Sequence, residues 1–140
     1  MAYFDASAFV KLVLDKPGTD DAREVYTAAT WIQSSRLLAP EAYAAVARAR
    51  RSHRVSSGGA ARALDLLRTL LAQVEPVEFD ASLAERAGEL STTLTLRGYD
   101  AIHLASYEIV KAVSSVLVAA DGDLAHAARS RGHAVAVPGR

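Results

Sequence analysis

A chain of 140 residues, half of them hydrophobic, is long enough for one compact core, and a single domain spanning 1–140 is expected. It contains no cysteine, and its four histidines show no zinc-ligand spacing, which excludes disulfide frameworks, thiolate metal sites and zinc-finger chemistry. Sixteen basic residues balance sixteen acidic ones, so net charge neither demands nor excludes a nucleic-acid partner, and the distribution of charge carries that question.

The N-terminus opens directly on Ala2-Tyr3-Phe4, a strand-like run with no charged leader and no long apolar segment, so a soluble cytoplasmic protein is expected. Ser7 to Leu14 has helical spacing that Lys16-Pro17-Gly18 stops, and a short helix follows over Thr19–Ala29. Asp15, Asp20 and Asp21 read as surface charges of the intervening loop. A second strand falls around Trp31–Gln33. Pro40 is acceptable in the first turn of a helix, and the alanine- and arginine-rich residues after it propagate one.

Ser56-Ser57 can cap the next helix, in which Leu64, Leu67, Leu71 and Val74 recur at three- and four-residue spacing, and the two helices together suggest a hairpin. A third strand is expected at Val77–Phe79. Asp80 has the character of an N-cap for a helix carrying Leu83, Ala87, Leu90 and Leu94. Another helix is expected to start at Asp100, a fourth strand at Ser115–Ala119, a helix from Asp121-Gly122-Asp123 through Ala128, and a last strand at Ala134–Val137. Strands alternating with helices imply an α/β fold with a parallel sheet.

Four acids stand at the joints of this pattern. Asp5 closes the first apolar run, Glu41 and Asp100 stand at helix starts, and Asp121 closes Val116-Leu117-Val118-Ala119-Ala120. Carboxylates at the carboxyl ends of parallel strands converge where such sheets bind ligands. Crowded there they repel each other unless a cation neutralises them, and oxygen-only donors suit Mg²⁺ or Mn²⁺. Each acid also has an innocent explanation as a helix cap. Glu41 argues against that for the set, because glutamate is a weaker N-cap than aspartate or serine. Asp123 is a secondary candidate, as a cap, a site partner or a further metal ligand. His103 lies three residues after Asp100 and reads as hydrogen-bonded structure rather than as a base, while Ser7 and Ser35 orient ligands or cap turns. No dinucleotide or P-loop glycine pattern is present.

The segments Tyr3-Phe4-Asp5-Ala6-Ser7-Ala8-Phe9-Val10-Lys11-Leu12, Ser35-Arg36-Leu37 leading to Glu41, Leu96-Arg97-Gly98-Tyr99-Asp100-Ala101-Ile102-His103-Leu104-Ala105 and Ala120-Asp121-Gly122-Asp123-Leu124 resemble a PIN domain, more narrowly the VapC-type toxins. The resemblance covers the whole chain in order. It implies a three-layer α/β/α fold with a parallel five-stranded sheet, Mg²⁺-dependent cleavage of RNA, homodimerisation and inhibition by a cognate VapB-type antitoxin. It places the metal-binding and catalytic acids on Asp5, Glu41, Asp100 and Asp121. One departure is visible: the family often has Thr or Ser two residues before the last acid, where this chain has Ala119, so a hydroxyl that helps orient the site is expected to be missing.

The basic stretch Arg48, Arg50, Arg51, His53, Arg54, Arg62 and Arg68 reads either as a solvated helix face or as a rim for RNA phosphates or an acidic partner, and Leu64, Leu67 and Leu71 either pack the domain or receive an antitoxin helix. The main alternative to an enzyme is a PIN-fold module that binds RNA or protein without turnover. A receiver-like phospho-acceptor would need a lysine at a late strand end, whereas Lys111 lies in a helical run. A haloacid-dehalogenase-like phosphatase would need Asp-x-Asp where this chain has Asp5-Ala6-Ser7.

Overall fold

The computed structural model describes residues 1–140. Five strands, β1 (Ala2–Phe4), β2 (Ile32–Ser35), β3 (Val74–Val77), β4 (Val116–Val118) and β5 (Val135–Ala136), form one sheet in the order β3-β2-β1-β4-β5, with every pair parallel. Between them run α1 (Ala6–Phe9, continued as a tight 3₁₀ turn over Val10–Leu12), α2 (Thr19–Ala28), α3 (Leu38–Arg51), α4 (Ser57–Leu71), α5 (Ala81–Leu94), α6 (Gly98–Val110) and α7 (Gly122–Ser130). No helix is long and apolar enough to cross a membrane.

The two-residue period of the strands sorts their side chains between two cores. Tyr3, Leu117 and Ala119 face one layer with Leu83, Leu90, Leu104 and Leu124 of α5, α6 and α7. Ala2, Phe4, Ile32 and Val118 face the opposite layer with Phe9, Ala22, Leu38, Ala42 and Leu67. The sheet is therefore covered on both faces, as parallel sheets require, and the three-layer α/β/α expectation holds. Tyr3, Phe4, Leu117 and Leu104 are fully buried, and each side chain of that size stabilises the fold by about 1.5–3 kcal/mol relative to exposure.

On α3 the buried positions Leu38, Ala42, Val46 and Ala49 form one stripe at helical spacing. Val46 and Ala49 meet Ala60 and Ala63 of α4 in a small satellite core with Leu14, so the helical hairpin forms as expected. Leu67 is fully buried, and Leu64 and Leu71 pack against the cores, so all three work inside the domain. The caps read at Ser56 and Asp80 are present: Ser56 Oγ accepts from Gly59 N–H at 2.9 Å and Asp80 Oδ1 from Leu83 N–H at 2.8 Å.

Several assignments differ from expectation: β2 runs over Ile32–Ser35 rather than Trp31–Gln33, and β4 and β5 are shorter than the runs read for them. Val74 continues the leucine spacing of α4 but starts β3, and Phe79 lies beyond that strand, because the chain leaves the helix at Ala72. Helix α6 begins at Gly98, two residues before Asp100, which puts Asp100 in its first turn. Asp20 and Asp21 lie in the first turn of α2, where carboxylates favour the helix dipole, rather than in a loop, and Asp21 Oδ2 accepts from Gly139 N–H at 2.8 Å. Gly18 precedes that turn with φ +86°, and a Cβ there would lie 2.5 Å from the backbone of Pro138, so the C-terminal segment can lie across this turn only if residue 18 is glycine.

Candidate active site

Strands β1 and β4 are neighbours with Phe4 opposite Val118, and the chain leaves β1 toward β2 on one side while β4 lies on the other. This is the switch point at which open α/β sheets form a crevice. Asp5 follows β1 directly and Asp121 lies three residues past β4, while the first turns of α3 and α6 bring Glu41 and Asp100 over the same edge. All four acids thus sit at helix N-termini, as N-caps of α1 and α7 or in the first turns of α3 and α6. There the partial positive charge of the helix favours a carboxylate.

The four line one cavity of about 760 Å³ together with Ser7 and His103. Asp123 does not join them. It is exposed and lines a separate hollow beside Thr95 and His126, its backbone N–H bonded to Asp121 Oδ1 at 2.9 Å.

Asp5 and Asp121 each divide their two oxygens, one capping a helix and the other meeting a neighbouring side chain in the cavity. Asp5 Oδ1 accepts from Ala8 N–H at 2.8 Å while its Oδ2 accepts from the Ser7 hydroxyl at 2.6 Å. Asp121 Oδ1 accepts from Asp123 and Leu124 N–H while its Oδ2 accepts from Arg97 at 2.6 Å. Ser7 is the hub of this corner, because its Oγ also accepts from the backbone N–H of Ala120 and of Asp121, each at 3.0 Å. A hydroxyl therefore does hold the chain just past β4, supplied by Ser7 from the start of α1. Ala119 is fully buried in the core beside Leu104 and Leu124 and does not line the cavity.

Arg97, just before α6, holds two of the acids: its Nε donates to Asp100 Oδ2 at 3.0 Å and its terminal nitrogen to Asp121. His103 Nε2 lies 2.7 Å from Glu41 Oε2, and its Nδ1 lies 3.0 Å from the Tyr3 hydroxyl. Burial pushes the Asp5 carboxyl up to about 6, against the opposing influence of His103, Ser7 and Ala8 N–H, with the Asp100 charge adding to the rise. Burial likewise raises Asp100, Arg97 opposes it, and the Asp121 charge reinforces it. The corner is short of positive charge despite Arg97.

The donor set is four carboxylates with no thiol, which fits a hard divalent cation such as Mg²⁺ or Mn²⁺. As the side chains stand, no three of the acids and histidines close around one point. One oxygen of each acid is held instead by a neighbouring side chain: Asp5 by Ser7, Glu41 by His103, and Asp100 and Asp121 by Arg97.

The wall of the cavity is basic. Lys11, Lys16 and Arg48 line it, and the Lys16 ammonium is lowered by burial and by repulsion from Arg54, Lys11 and Arg48. Of the basic stretch legible in the sequence, Arg48 alone lines the cavity, whereas Arg68 is engaged with Asp65 on exposed α4 at 2.7 Å. Sequence reasoning passed over Arg97, Lys11, Lys16 and Tyr99. The three-residue step from Arg97 to Asp100 across a helix start was a usable signal for the first; the lysines join the site only through the tertiary fold. Tyr99, 63% exposed, stands at the cavity mouth.

The PIN domain sequence profile matches residues 2–130. The chain is 41% identical over 106 residues to Ribonuclease VapC45 of Mycobacterium tuberculosis strain CDC 1551 / Oshkosh, covering 76% of this chain and 74% of that protein. Ribonuclease VapC49 of Mycobacterium tuberculosis strain ATCC 25618 / H37Rv matches with the same identity and coverage. The backbone is similar to that of a toxin-antitoxin complex from Klebsiella pneumoniae (TM-score 0.62, 18% identity, 99% of this chain and 98% of that one). It is similar also to VapBC2 from Rickettsia felis bound to a DNA fragment from its promoter (TM-score 0.62, 16% identity, 98% of both chains). With the match running through the strands and helices that carry all four acids, the chain belongs to the PIN domain family.

Proposed function

We propose that this chain is a divalent-metal-dependent endoribonuclease, the toxin of a VapBC-type toxin-antitoxin pair, acting in the cytoplasm with residues 1–140 as one PIN domain. The observation that carries the reading is the convergence of Asp5, Glu41, Asp100 and Asp121, from four separate elements, on one cavity with a basic wall. The ribonuclease names of the 41%-identical relatives and the toxin-antitoxin complexes of the same fold support it. A VapB-type antitoxin and a second copy of the chain, forming a homodimer, are the protein partners this reading implies.

Asp5, Asp100 and Asp121 would hold Mg²⁺ or Mn²⁺, with Glu41 binding directly or through water. A cation bound there supplies nucleophilic water at neutral pH and offsets the charge of the phosphate. Ser7 keeps Asp5 Oδ2 aimed into the cavity and ties the ends of β1 and β4 together. Lys11, Lys16 and Arg48 neutralise phosphates along the wall, and Arg97, once released from its carboxylates, is free to donate to a phosphate oxygen. In-line attack of water on phosphorus with loss of the 3′ oxygen leaves a 5′-phosphate and a 3′-hydroxyl.

A second reading, a binding module of the same fold, is favoured by the carboxylates being already engaged by Arg97 and His103. Incubating the purified chain, freed of antitoxin, with total bacterial RNA in Mg²⁺ or EDTA separates the two. Discrete Mg²⁺-dependent fragments bearing 5′-phosphates, missing with Asp5→Asn, are the expected result; RNA retention without cleavage in any divalent metal would establish the binding module instead.

A further inference from the structure

His103 is the least exposed group facing the four acids, 2% exposed on α6, and both of its ring nitrogens are engaged. Its Nε2 contacts Glu41 Oε2, and an ionised carboxylate only accepts, so Nε2 carries hydrogen in either charge state of the ring. Its Nδ1 meets the hydroxyl of Tyr3, which has no exposure and is fixed by edge-on contacts with the His103 ring at 5.9 Å and the Tyr107 ring at 5.8 Å between centroids. With no lone pair free toward the cavity, the imidazole in this arrangement is neither a metal ligand nor a base.

We propose that His103, braced by Tyr3, is a positioning residue that sets the direction of the Glu41 carboxylate in the four-acid cavity. Glutamate reaches the site on three rotatable bonds, more than any aspartate of the set, and free rotation would have to be frozen each time the site assembles. The contact on Oε2 freezes it in advance and leaves Oε1 without a protein partner, free for a cation or its water. Tyr3 belongs to the central strand β1, two residues before Asp5, so the same strand that ends in one acid orients another through the ring on α6. The role rests on the metal-site reading given above.

The test is calorimetric titration of the full, metal-free chain with Mn²⁺ alone, in a double-mutant cycle, with melting curves in EDTA to check folding. His103→Leu is expected to weaken Mn²⁺ binding about tenfold, the lower end for loss of a group that orients a metal ligand. Tyr3→Phe is expected to weaken it less, and His103→Gln, whose amide can donate to the same carboxylate, to retain most of the affinity. In a Glu41→Ala background His103→Leu should cause no further loss, because its effect passes through Glu41. An equal loss in that background, or wild-type affinity in folded His103→Leu, would overturn the role and leave the metal site standing. A wild-type chain that binds no Mn²⁺ would overturn the metal site and this role together. If His103→Leu does not fold, the same cycle is run with Tyr3→Phe and read by the same rule.

Discussion

Arg97 and Asp121 meet at 2.6 Å across 24 positions of the chain, and the same guanidinium reaches Asp100 at 3.0 Å. A side chain that is 70% exposed thus acts as the counter-ion of two acids that a divalent cation would otherwise join. A cation bound as proposed would compete with the guanidinium for these carboxylates. Arg97→Gln should therefore bind Mn²⁺ roughly two- to tenfold more tightly than the wild type, the scale of a pair of partly exposed ion pairs. Calorimetric titration checks this, and weaker binding in the variant would mean that Arg97 helps to assemble the site rather than blocking it.

Asp5 is held in the fold at a cost to stability. Burial pushes its folded-state carboxyl up to about 6 from an ordinary value of 3.8, so between those values the folded chain binds more protons than the unfolded one and stability falls as pH rises. Above that window the penalty is complete. Asp5→Asn, which still accepts from Ala8 N–H, should leave the metal-free chain about 1–3 kcal/mol more stable at pH 7 while abolishing cleavage. Denaturant melts in EDTA at pH 4 and pH 7 read the difference, which should be small at the lower pH.

The basic wall should act through phosphates. Replacing Lys11, Lys16 and Arg48 together by Gln is expected to weaken binding of a single-stranded RNA and to flatten its dependence on log salt by about 0.7 for each phosphate no longer neutralised. Arg68→Gln, which removes a guanidinium already engaged with Asp65, should leave the slope unchanged. An unaltered slope in the triple variant would assign the wall to a protein partner instead.

Far from the cavity, Glu108 gathers Arg131 at 2.5 Å, His133 at 2.9 Å and Arg86 at 3.3 Å, joining α5 and α6 to the end of α7. Burial by itself would raise its carboxyl, but these donors bring it down to about 2. Because that folded value lies below the ordinary 4.5, its contribution is complete above pH 4.5 and is lost as pH falls toward 2. Glu108→Gln should cost about 1–2 kcal/mol at pH 7 and flatten the acid limb of the stability curve over that window, as acid titration of the circular dichroism signal would show.

The acids were legible because each stands where a local pattern breaks. An apolar run ending in Asp5 or Asp121, or a helix opening at Glu41 or Asp100, is visible within a few residues. The caps Ser56 and Asp80 were legible for the same reason. What the sequence hid depends on distance along the chain. Lys11 and Lys16 meet Arg48 only because α1 and its continuation pack on α3, and Arg97 finds Asp121 only once β4 lies beside β1. Residue 119 does lack a hydroxyl, but the face of the strand it occupies, which enters the core away from the cavity, is set by the packing of the helices and is not legible locally. Val74 reads as helical in sequence because the leucine spacing of α4 runs on past the turn at Ala72 and Gln73.

Anomalous diffraction from a crystal of the chain soaked in Mn²⁺ would show whether the four acids form one divalent-cation site. A peak coordinated by Asp5, Asp100 and Asp121, with Glu41 beside it and Arg97 withdrawn from its carboxylates, is the expected result. A cavity without a peak at saturating Mn²⁺, with Arg97 still bonded to Asp100 and Asp121, would contradict it.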